Sequence, residues 1–326
     1  MKVVRGTSAV PPGPGVSLTV GNFDGVHLGH RELLRTAVRE ARKRGIEAVA
    51  LTFTPHPVRY FSPGSRFYEI TTDEEKAALI AGMGIDTLVV EPFDEGIGRM
   101  SPEEFAGRIL HERLRARCVT VGYDFTFGKN RSGSPSLLRR IGREAGFEVR
   151  VIPPVLRGGL IVSSTRIRDL LLGGRVREAE ELLCRPYALS GPVVPGAGRG
   201  KKLGFPTANV RFSQELIPLP GVYVVDAEVA GTRYRAVANV GFSPTFGENS
   251  LGLEVHLIDV DRDLYGQRIV VRFRDRIRDE RKYKEVSDLV RQIEQDVRFA
   301  REATYPERRD GCGREAEAAG AGRPPA

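Results

Sequence analysis

The segment VSLTVGNFDGVHLGH, residues 16–30, decides the fold of the first half of the chain. Its first five residues are an apolar run typical of a buried strand, and a helix with one apolar face is predicted from about His30 to Arg44. Two histidines and several glycines therefore fall where a strand turns into a helix. Backbone N–H groups, the positive end of the helix dipole and two imidazoles converge there, which favours the binding of phosphate oxygens.

Strands and helices continue to alternate beyond this segment. Start signals mark the helices, with capping boxes at residues 72–75 and 101–104. Further strands are predicted at residues 46–53, 87–90, 118–121 and 147–152, and further helices at about 101–115, 137–144, 164–172 and 176–184. This alternation predicts an α/β fold with a doubly wound parallel sheet, which binds ligands at the carboxyl ends of its strands.

The residue pattern of the sequence changes from Tyr187 onward. Short runs rich in Val, Tyr and Phe are broken by Gly and Pro, which predicts a small antiparallel β-barrel. The strands are predicted at residues 193–194, 222–229, 235–240, 253–259 and 268–273, and an amphipathic helix at about 286–301 closes the domain. The predicted domains are residues 1–186 and 187–306, and composition predicts a disordered tail over residues 307–326.

Composition excludes several classes of protein. The chain has 326 residues, 40% of them hydrophobic, which suits two globular domains. Lys plus Arg 50 against Asp plus Glu 42 gives +8, an excess too mild to predict a nucleic-acid partner. No apolar run approaches the roughly 20 residues of a membrane span. Three widely spaced cysteines form neither a disulfide framework nor a zinc motif, and prolines 11, 12 and 14 interrupt any signal peptide, so we expect a cytoplasmic protein.

The histidine motif alone leaves three interpretations open. His27 and His30 could simply cap the helix, or they could meet His56 in a metal site. In the third interpretation they stabilise charge on a nucleotide, and Gly29 lets that nucleotide approach closely. The segment SSTRIR, residues 163–168, adds hydroxyls and guanidinium groups at another helix start and supplies a second phosphate clamp, which favours the third interpretation.

The barrel half opens with the glycine-rich basic segment GAGRGKKLGFPTAN, residues 196–209. It lacks the spacing of a Walker A loop, but its backbone N–H groups could still wrap phosphates. Thr207 and Asn209 are alternate residues of an extended segment and offer two neutral oxygens on one face, which suits Mg²⁺. Glu254 lies in an apolar strand, where it is either a solvent-facing residue or a base for a substrate hydroxyl.

These motifs carry a family resemblance. HxGH at residues 27–30 with SSTxxR at 163–168 resembles the nucleotidyltransferase superfamily. The longer string GNFDGVHLGH, with FTPHP at 53–57 and GYDFTFG at 122–128, resembles bacterial bifunctional riboflavin kinases/FAD synthetases. In the second half, the resemblance to riboflavin kinase domains rests on PTAN at 206–209, PGVY at 220–223, NVG at 239–241, PTF at 244–246 and DLYG at 263–266.

The resemblance implies a nucleotidyltransferase domain that transfers AMP from ATP to FMN, giving FAD and pyrophosphate. It also implies a kinase domain that phosphorylates riboflavin to FMN with ATP and Mg²⁺. In the first site it assigns ATP contacts to Asn22, Phe23, Asp24, His27, Gly29, His30, Ser164, Thr165 and Arg168, and flavin contacts to His56, Asp124, Phe125 and Phe127. In the second it assigns ATP contacts to Gly198, Gly200, Lys201, Gly204, Thr207 and Asn209, with Thr207 and Asn209 as Mg²⁺ ligands and Glu254 as the catalytic base.

Two other functions share parts of this pattern. HxGH also occurs in class I aminoacyl-tRNA synthetases, but those need a lysine-rich loop where SSTRIR stands. A non-catalytic flavin-binding module would have lost one constellation, whereas both are intact. The resemblance therefore implies a two-domain enzyme whose partners are riboflavin, FMN, FAD and ATP. We expect no nucleic-acid or membrane partner, and the sequence leaves the oligomeric state open.

Overall fold

The computed structural model describes residues 1–11, 13–242 and 251–306. These residues form two compact units, residues 1–163 and residues 164–306. The tail predicted at residues 307–326 and the PTF motif at residues 244–246 lie outside the described residues.

The first unit is built on a parallel sheet with the strand order β1-β4-β3-β2-β5-β6. In the described chain its strands are β1 Lys2–Arg5, β2 Val16–Val20, β3 Glu47–Thr54, β4 Thr87–Pro92, β5 Ala116–Gly122 and β6 Glu148–Ile152. Its helices are α1 Leu28–Arg44, α2 Pro57–Phe61, α3 Asp73–Ala81, α4 Glu95–Arg99, α5 Pro102–Glu104 and α6 Pro135–Ala145. A small hairpin follows, made of β7 Leu156–Arg157 and β8 Leu160–Ile161.

Both faces of the sheet are covered, and β3 shows this directly. Ala48 and Ala50 pack in one apolar cluster with residues of α1 and α3. Val49 and Leu51 point to the opposite face and pack in a second cluster. Side chains alternate across a strand, so the four consecutive apolar residues 48–51 are buried on both faces of the sheet. The predicted doubly wound α/β fold is confirmed.

Two elements of this unit differ from the sequence prediction. No strand was predicted at β1, whose charged ends and exposed residues are typical of the sheet edge that it forms. The helix predicted at residues 101–115 starts at Pro102 with both capping-box bonds, as expected. From Phe105 to Arg113, however, it is a π-helix, in which Leu114 N donates to Ile109 O.

The second unit is a closed antiparallel barrel with the strand order β10-β13-β12-β11-β14-β9. Its strands in the described residues are β9 Ala188–Val194, β10 Ala208–Val210, β11 Gly221–Val229, β12 Thr232–Phe242, β13 Leu251–Leu257 and β14 Arg268–Arg278. Its helices are α7 Ser164–Leu172, α8 Val176–Leu183, α9 Arg199–Lys202 and α10 Val286–Glu302. The predicted barrel with a C-terminal helix is confirmed.

The structure groups α7 and α8 with the barrel, although composition places the domain boundary after residue 186. The physical reason is a buried ion pair and direct packing of α8 on β14. Glu180 of α8 lies 3.0 Å from Arg274 of β14, and Arg274 also contacts Asp226 of β11 at 2.6 Å. The assignment of the kinase to residues 187–306 stays a prediction.

Arg278 of β14 holds α10 on the barrel through Asp296, with guanidinium-to-carboxylate distances of 2.7–3.1 Å. Ala300 of the same helix is fully buried in an apolar cluster with Val224 and Val237. No helix in the described ranges is both long and apolar enough to cross a bilayer.

Candidate functional site

The loop after β2 is held in shape by its own buried side chains. Phe23 is fully buried, has a left-handed φ of 49°, and meets the ring of His30 edge to face at a centroid distance of 5.5 Å. The Asp24 carboxylate is 1% exposed and accepts hydrogen bonds from the backbone N–H groups of Ile70 at 2.8 Å and Thr71 at 3.2 Å. Gly25 N in turn donates to the Thr71 hydroxyl. The loop and residues 70–71 are thus fastened to each other.

Buried charges lie close to residues 70–71, to which the loop is hydrogen-bonded. Lys76 of α3 is 2% exposed, and its Nζ lies 3.2 Å from Asp73 and 3.5 Å from Glu69. Burial raises the pKa of the Glu69 carboxyl, while Lys76 opposes that rise and the carboxylates of Asp24 and Asp73 add to it. The Asp24 carboxylate therefore interacts electrostatically with these charged side chains beside the loop.

The two histidines of the motif lie at the start of α1. His27 is the N-cap residue, and its Nδ1 accepts the backbone N–H of His30 at 3.3 Å. The two rings stack at a centroid distance of 3.6 Å with 18° between their planes. His27 is buried, whereas His30 is half-buried. The two imidazoles therefore lie together at the helix start, as expected. His27 also caps the helix, as the capping interpretation predicts.

Gly29 lies close to the ring of His27. A Cβ at this position would lie 3.1 Å from Cε1 and 3.3 Å from Nδ1 of His27, closer than such atoms normally approach. A side chain at position 29 would thus crowd the His27 ring, and the predicted approach of a nucleotide to Gly29 stays a prediction. Val162 O lies 3.9 Å from the same Cβ position.

The alternative of a metal centre made by His27, His30 and His56 is wrong. Within residues 1–11, 13–242 and 251–306, no group of three His, Cys, Asp or Glu side chains is arranged to hold a metal ion. His56 instead caps α2, accepting the Val58 N–H at 3.2 Å, and its ring packs on Phe67 at 4.5 Å. It is buried in this position.

The loop after β5 presents a mixed surface. Asp124 is exposed and Phe125 is half-buried, while Phe127 is buried in the apolar core. The rings of Phe125 and Phe127 stack at 5.3 Å, and Phe127 exchanges two backbone hydrogen bonds with Gly133, which closes the loop. Burial raises the pKa of Tyr123, and the neighbouring Asp124 carboxylate raises it further. Of the three residues predicted in this loop to contact the flavin, Asp124 and Phe125 are accessible and Phe127 is not.

Ser164, Thr165 and Arg168 occupy the first turns of α7. Thr165 is exposed, and Ser164 and Arg168 are half-buried. A helix start that presents hydroxyls and a guanidinium group suits an anion. The helix bounds predicted from the sequence, residues 164–172, are those observed.

In the barrel unit, the glycine-rich segment folds directly over the PTAN residues. A Cβ on Gly196 would lie 2.1 Å from Nδ2 of Asn209, and one on Gly200 would lie 2.4 Å from Phe205 O and 3.1 Å from Oγ1 of Thr207. Gly198, at the N-cap of α9, has a φ of 68°, and Gly204 has a φ of 86°. Lys201 is exposed. Glycine is thus needed both for close packing and for backbone geometry.

The strand register brings the candidate kinase residues into one row. Asn209 of β10 lies directly opposite Glu254 of β13, and Glu254 lies directly opposite Asn239 of β12. Leu253 and Val255, the neighbours of Glu254, are fully buried in the barrel. Because successive side chains of a strand alternate, Glu254 faces the opposite side together with Asn209 and Asn239.

The oxygens near this row fit a divalent cation. Asn209 is 5% exposed, yet its Oδ1 has no hydrogen-bond partner in the described part of the chain. A buried acceptor without a donor is costly unless something else binds it. Thr207 lies two residues earlier in the chain, with its hydroxyl beside Gly200. Neutral oxygens of this kind are ligands that Mg²⁺ accepts.

The structure adds residues that the sequence argument passed over. Asn239 Nδ2 donates to the Glu280 carboxylate at 3.1 Å, so Asn239 lies between two carboxylates. A Cβ on Gly241 would lie 2.2 Å from that Glu280 oxygen. His256 bonds to Pro206 O through Nδ1 at 2.9 Å. These neighbours lie far apart in the chain, so the sequence pattern did not reveal them.

Comparison with known proteins gives two family profiles along the chain. The profile of FAD synthetase matches residues 12–166, and that of riboflavin kinase matches residues 183–304. The bifunctional riboflavin kinase/FMN adenylyltransferase of Escherichia coli strain K12 is 38% identical over 305 residues, which cover 93% of this chain and 97% of that protein. The protein of the same name from Pseudomonas fluorescens is 36% identical, covering 94% and 99%.

Among solved structures, a Streptococcus pneumoniae protein described as a macrolide-efflux protein superposes with a TM-score of 0.86. It is 33% identical, and the match covers 93% of this chain and all of the other. A nucleotidyltransferase-like parallel sheet joined to a barrel of the riboflavin kinase type defines a two-part nucleotide-using enzyme. The chain belongs to the bifunctional riboflavin kinase/FMN adenylyltransferase family.

Proposed function

We propose that this chain makes FAD from riboflavin in two reactions, each assigned to one predicted domain. The barrel transfers the γ-phosphoryl group of ATP to riboflavin and forms FMN. The predicted domain of residues 1–186 transfers AMP from a second ATP to FMN and forms FAD and pyrophosphate. The observation that carries the proposal is the row of Asn209 and Glu254 beneath the glycine-rich segment, because it combines a base, neutral oxygens and a phosphate-binding backbone.

In the kinase reaction, Glu254 serves as the base. The 5′-hydroxyl oxygen of riboflavin forms a bond to the γ-phosphorus while the bond from that phosphorus to the bridging oxygen breaks and ADP leaves. The hydroxyl proton goes to the Glu254 carboxylate. The transition state of phosphoryl transfer is loose, so that holding the hydroxyl in line contributes more than removing its proton.

Thr207 and Asn209 would hold Mg²⁺ with the ATP phosphates, and Gly198, Gly200, Lys201 and Gly204 would border them. When bound, the ion neutralises phosphate charge. The support is the buried Oδ1 of Asn209, which has no donor among the described residues, and the hydroxyl of Thr207 on the same extended segment. Lys201, exposed within the glycine-rich segment, would add a positive charge near the phosphates.

In the adenylyl transfer, His27 and His30 would stabilise charge on the ATP phosphates. An FMN phosphate oxygen forms a bond to the α-phosphorus, and pyrophosphate leaves as the opposite bond breaks. The stacked imidazoles at the start of α1 support this role, because preorganised donors at a helix start favour negative charge. We assign further phosphate contacts to Ser164, Thr165 and Arg168 by the family resemblance.

The remaining contacts of the sheet unit are also proposals. Asn22 is half-buried and follows β2, so it can border the nucleotide. Phe23 and Asp24 would act mainly by shaping the loop, since their side chains are buried against protein. Asp124 and Phe125 would contact FMN, with Phe127 and His56 supporting them from buried positions. The spacing of the cysteines supports a cytoplasmic location.

The test is to incubate the protein with riboflavin and MgATP and to resolve the flavins by chromatography. We expect FMN to appear first and FAD later, with one pyrophosphate per FAD, and no turnover when Mg²⁺ is removed by a chelator. FAD formed only from supplied FMN would contradict the kinase assignment. FMN formed without FAD would contradict the adenylyl transfer.

A further inference from the structure

His256 occupies a defined place next to the kinase residues. It lies in β13 two residues after Glu254 and therefore on the same face of the strand. Its Nδ1 is 2.9 Å from Pro206 O, so the proton of a neutral imidazole must lie on Nδ1 for it to donate. Its ring meets Phe205 edge to face, with centroids 5.5 Å apart and 81° between the planes. The side chain is half-buried.

The ladder between β10 and β13 explains why such a bond is needed. The last pair towards the start of β10 is Ala208 with Val255, and the ladder ends there. Pro206 has no N–H and cannot extend it, so its carbonyl is the one backbone group that it offers. The imidazole of His256 binds that carbonyl. The side chain thus continues the attachment of the segment beyond the point where strand pairing stops.

The residues held in this way belong to the glycine-rich segment. Phe205 N donates to Gly200 O at 2.9 Å, and Thr207 packs on Gly200. Pro206 lies between Phe205 and Thr207, and His256 contacts both Phe205 and Pro206. A shift of Pro206 would therefore move the Thr207 hydroxyl relative to Asn209, whose own place in the ladder is fixed by Glu254 and Val194.

We propose that His256 is a positioning residue of the kinase reaction, which fixes Pro206 and thereby sets the Thr207 hydroxyl for MgATP. The proposal rests on the proposed kinase function and adds a residue to it. His256 touches neither reacting atom: it lies over the segment that would hold the phosphates, while Glu254 serves the hydroxyl. Its loss should thus weaken MgATP binding and leave riboflavin binding unchanged.

The test compares two substitutions that each keep one half of the contact. His256→Phe keeps a ring against Phe205 but cannot donate to Pro206, whereas His256→Asn keeps a short donor but no ring. His111→Phe is the matched control, because His111 is exposed and lies on the π-helix of the other unit. Initial rates of FMN formation are measured against MgATP and against riboflavin. FAD formation from supplied FMN and thermal unfolding are measured on the same samples.

We expect His256→Phe to raise the KM for MgATP about tenfold, the effect of losing one well-placed hydrogen bond, with kcat changed less than about threefold. The KM for riboflavin and the rate of FAD formation should stay at wild-type values. His256→Asn should recover most of the loss, and His111→Phe should change nothing. The rescue distinguishes positioning from a general packing defect, since Asn lacks the ring.

Two results would overturn the proposal. One is a wild-type KM for MgATP in His256→Phe, and the other is equal impairment of the Phe and Asn variants. If the wild-type protein itself formed no FMN, the proposed kinase function would fail, and this failure is visible before any variant is measured.

Discussion

In the sheet unit, His27 and His30 are held by a loop and a helix start, whereas in the barrel unit Asn209 and Glu254 are held by paired strands. The first arrangement depends on consecutive residues and on one fastening to a neighbouring segment, Asp24 to residues 70–71. The second depends on residues 45 positions apart in the chain that face each other across a ladder. A loop site is therefore sensitive to local side chains, and a strand site is sensitive to register.

Separating the two units should have the largest effect. A fragment of residues 164–326 is expected to form FMN from riboflavin and no FAD, because it lacks His27 and His30. A fragment of residues 187–326 should catalyse the same reaction but unfold at a lower temperature, because Arg274 loses its buried partner Glu180. Flavin chromatography and thermal unfolding measure both. If both fragments fold but neither forms FMN, the barrel unit does not catalyse the kinase reaction independently of the sheet unit.

His30→Ala tests the loop site. FAD formation from supplied FMN should fall by about 10²–10³, because one preorganised donor at the helix start is lost. FMN formation from riboflavin serves as the internal control and should stay near the wild-type rate. Unchanged FAD synthesis would mean that the ring of His30 serves only the stacking with His27.

Glu254→Gln tests the strand site. Gln keeps the size and one oxygen, so folding and the KM for ATP should change little, but it cannot accept the hydroxyl proton. We expect kcat for FMN formation to fall by about 100-fold, the lower part of the range for a general base, because the transition state is loose. FAD synthesis from added FMN is the control. A wild-type kcat for FMN formation in this variant would mean that Glu254 is a solvent-facing residue and not the base.

The smallest expected effect concerns an exposed ion pair of the sheet unit. Hydrogen bonds from Arg42 and, to a lesser extent, from the Ala48 amide hold the pKa of the Asp86 carboxyl below its ordinary value of 3.8. A depressed pKa in the folded state adds stability above pH 3.8, and this stability is lost as the pH falls through the folded-state pKa. Wild type and Asp86→Asn should therefore converge in denaturation midpoint as the pH falls below 3.8. A difference in denaturation midpoint that does not change with pH would contradict the stabilising role of the Asp86 charge.

Local signals in the sequence predicted much of this molecule. The capping box of Thr72 and Glu75 and the start of α7 at Ser164 are found where the residue pattern indicates them, because a helix start is decided within four residues. The alternation of strands and helices likewise predicts the parallel sheet. The histidine pair at the start of α1 follows from consecutive residues in the same way.

What the sequence could not predict depends on tertiary contacts. The close approach of the His27 ring to Gly29 and to the His30 ring depends on how that ring is oriented, which the motif does not record. The π-helix from Phe105 keeps nearly the same apolar spacing as an α-helix, so the sequence pattern does not distinguish the two kinds of helix. The neighbours of Glu254 depend on how three strands align, and no single strand records that alignment.

The opposition of Asn209, Glu254 and Asn239 also limits how this chain can change length. Deleting or inserting one codon within β13 would turn Glu254 into the barrel interior and bring Leu253 or Val255 to the outer face. Such a change would remove the carboxylate and bury a charge in one event, whereas most substitutions in the strand would do neither. Length variation among descendants of this gene should therefore be confined to the connections between barrel strands, while β13 keeps a constant number of residues.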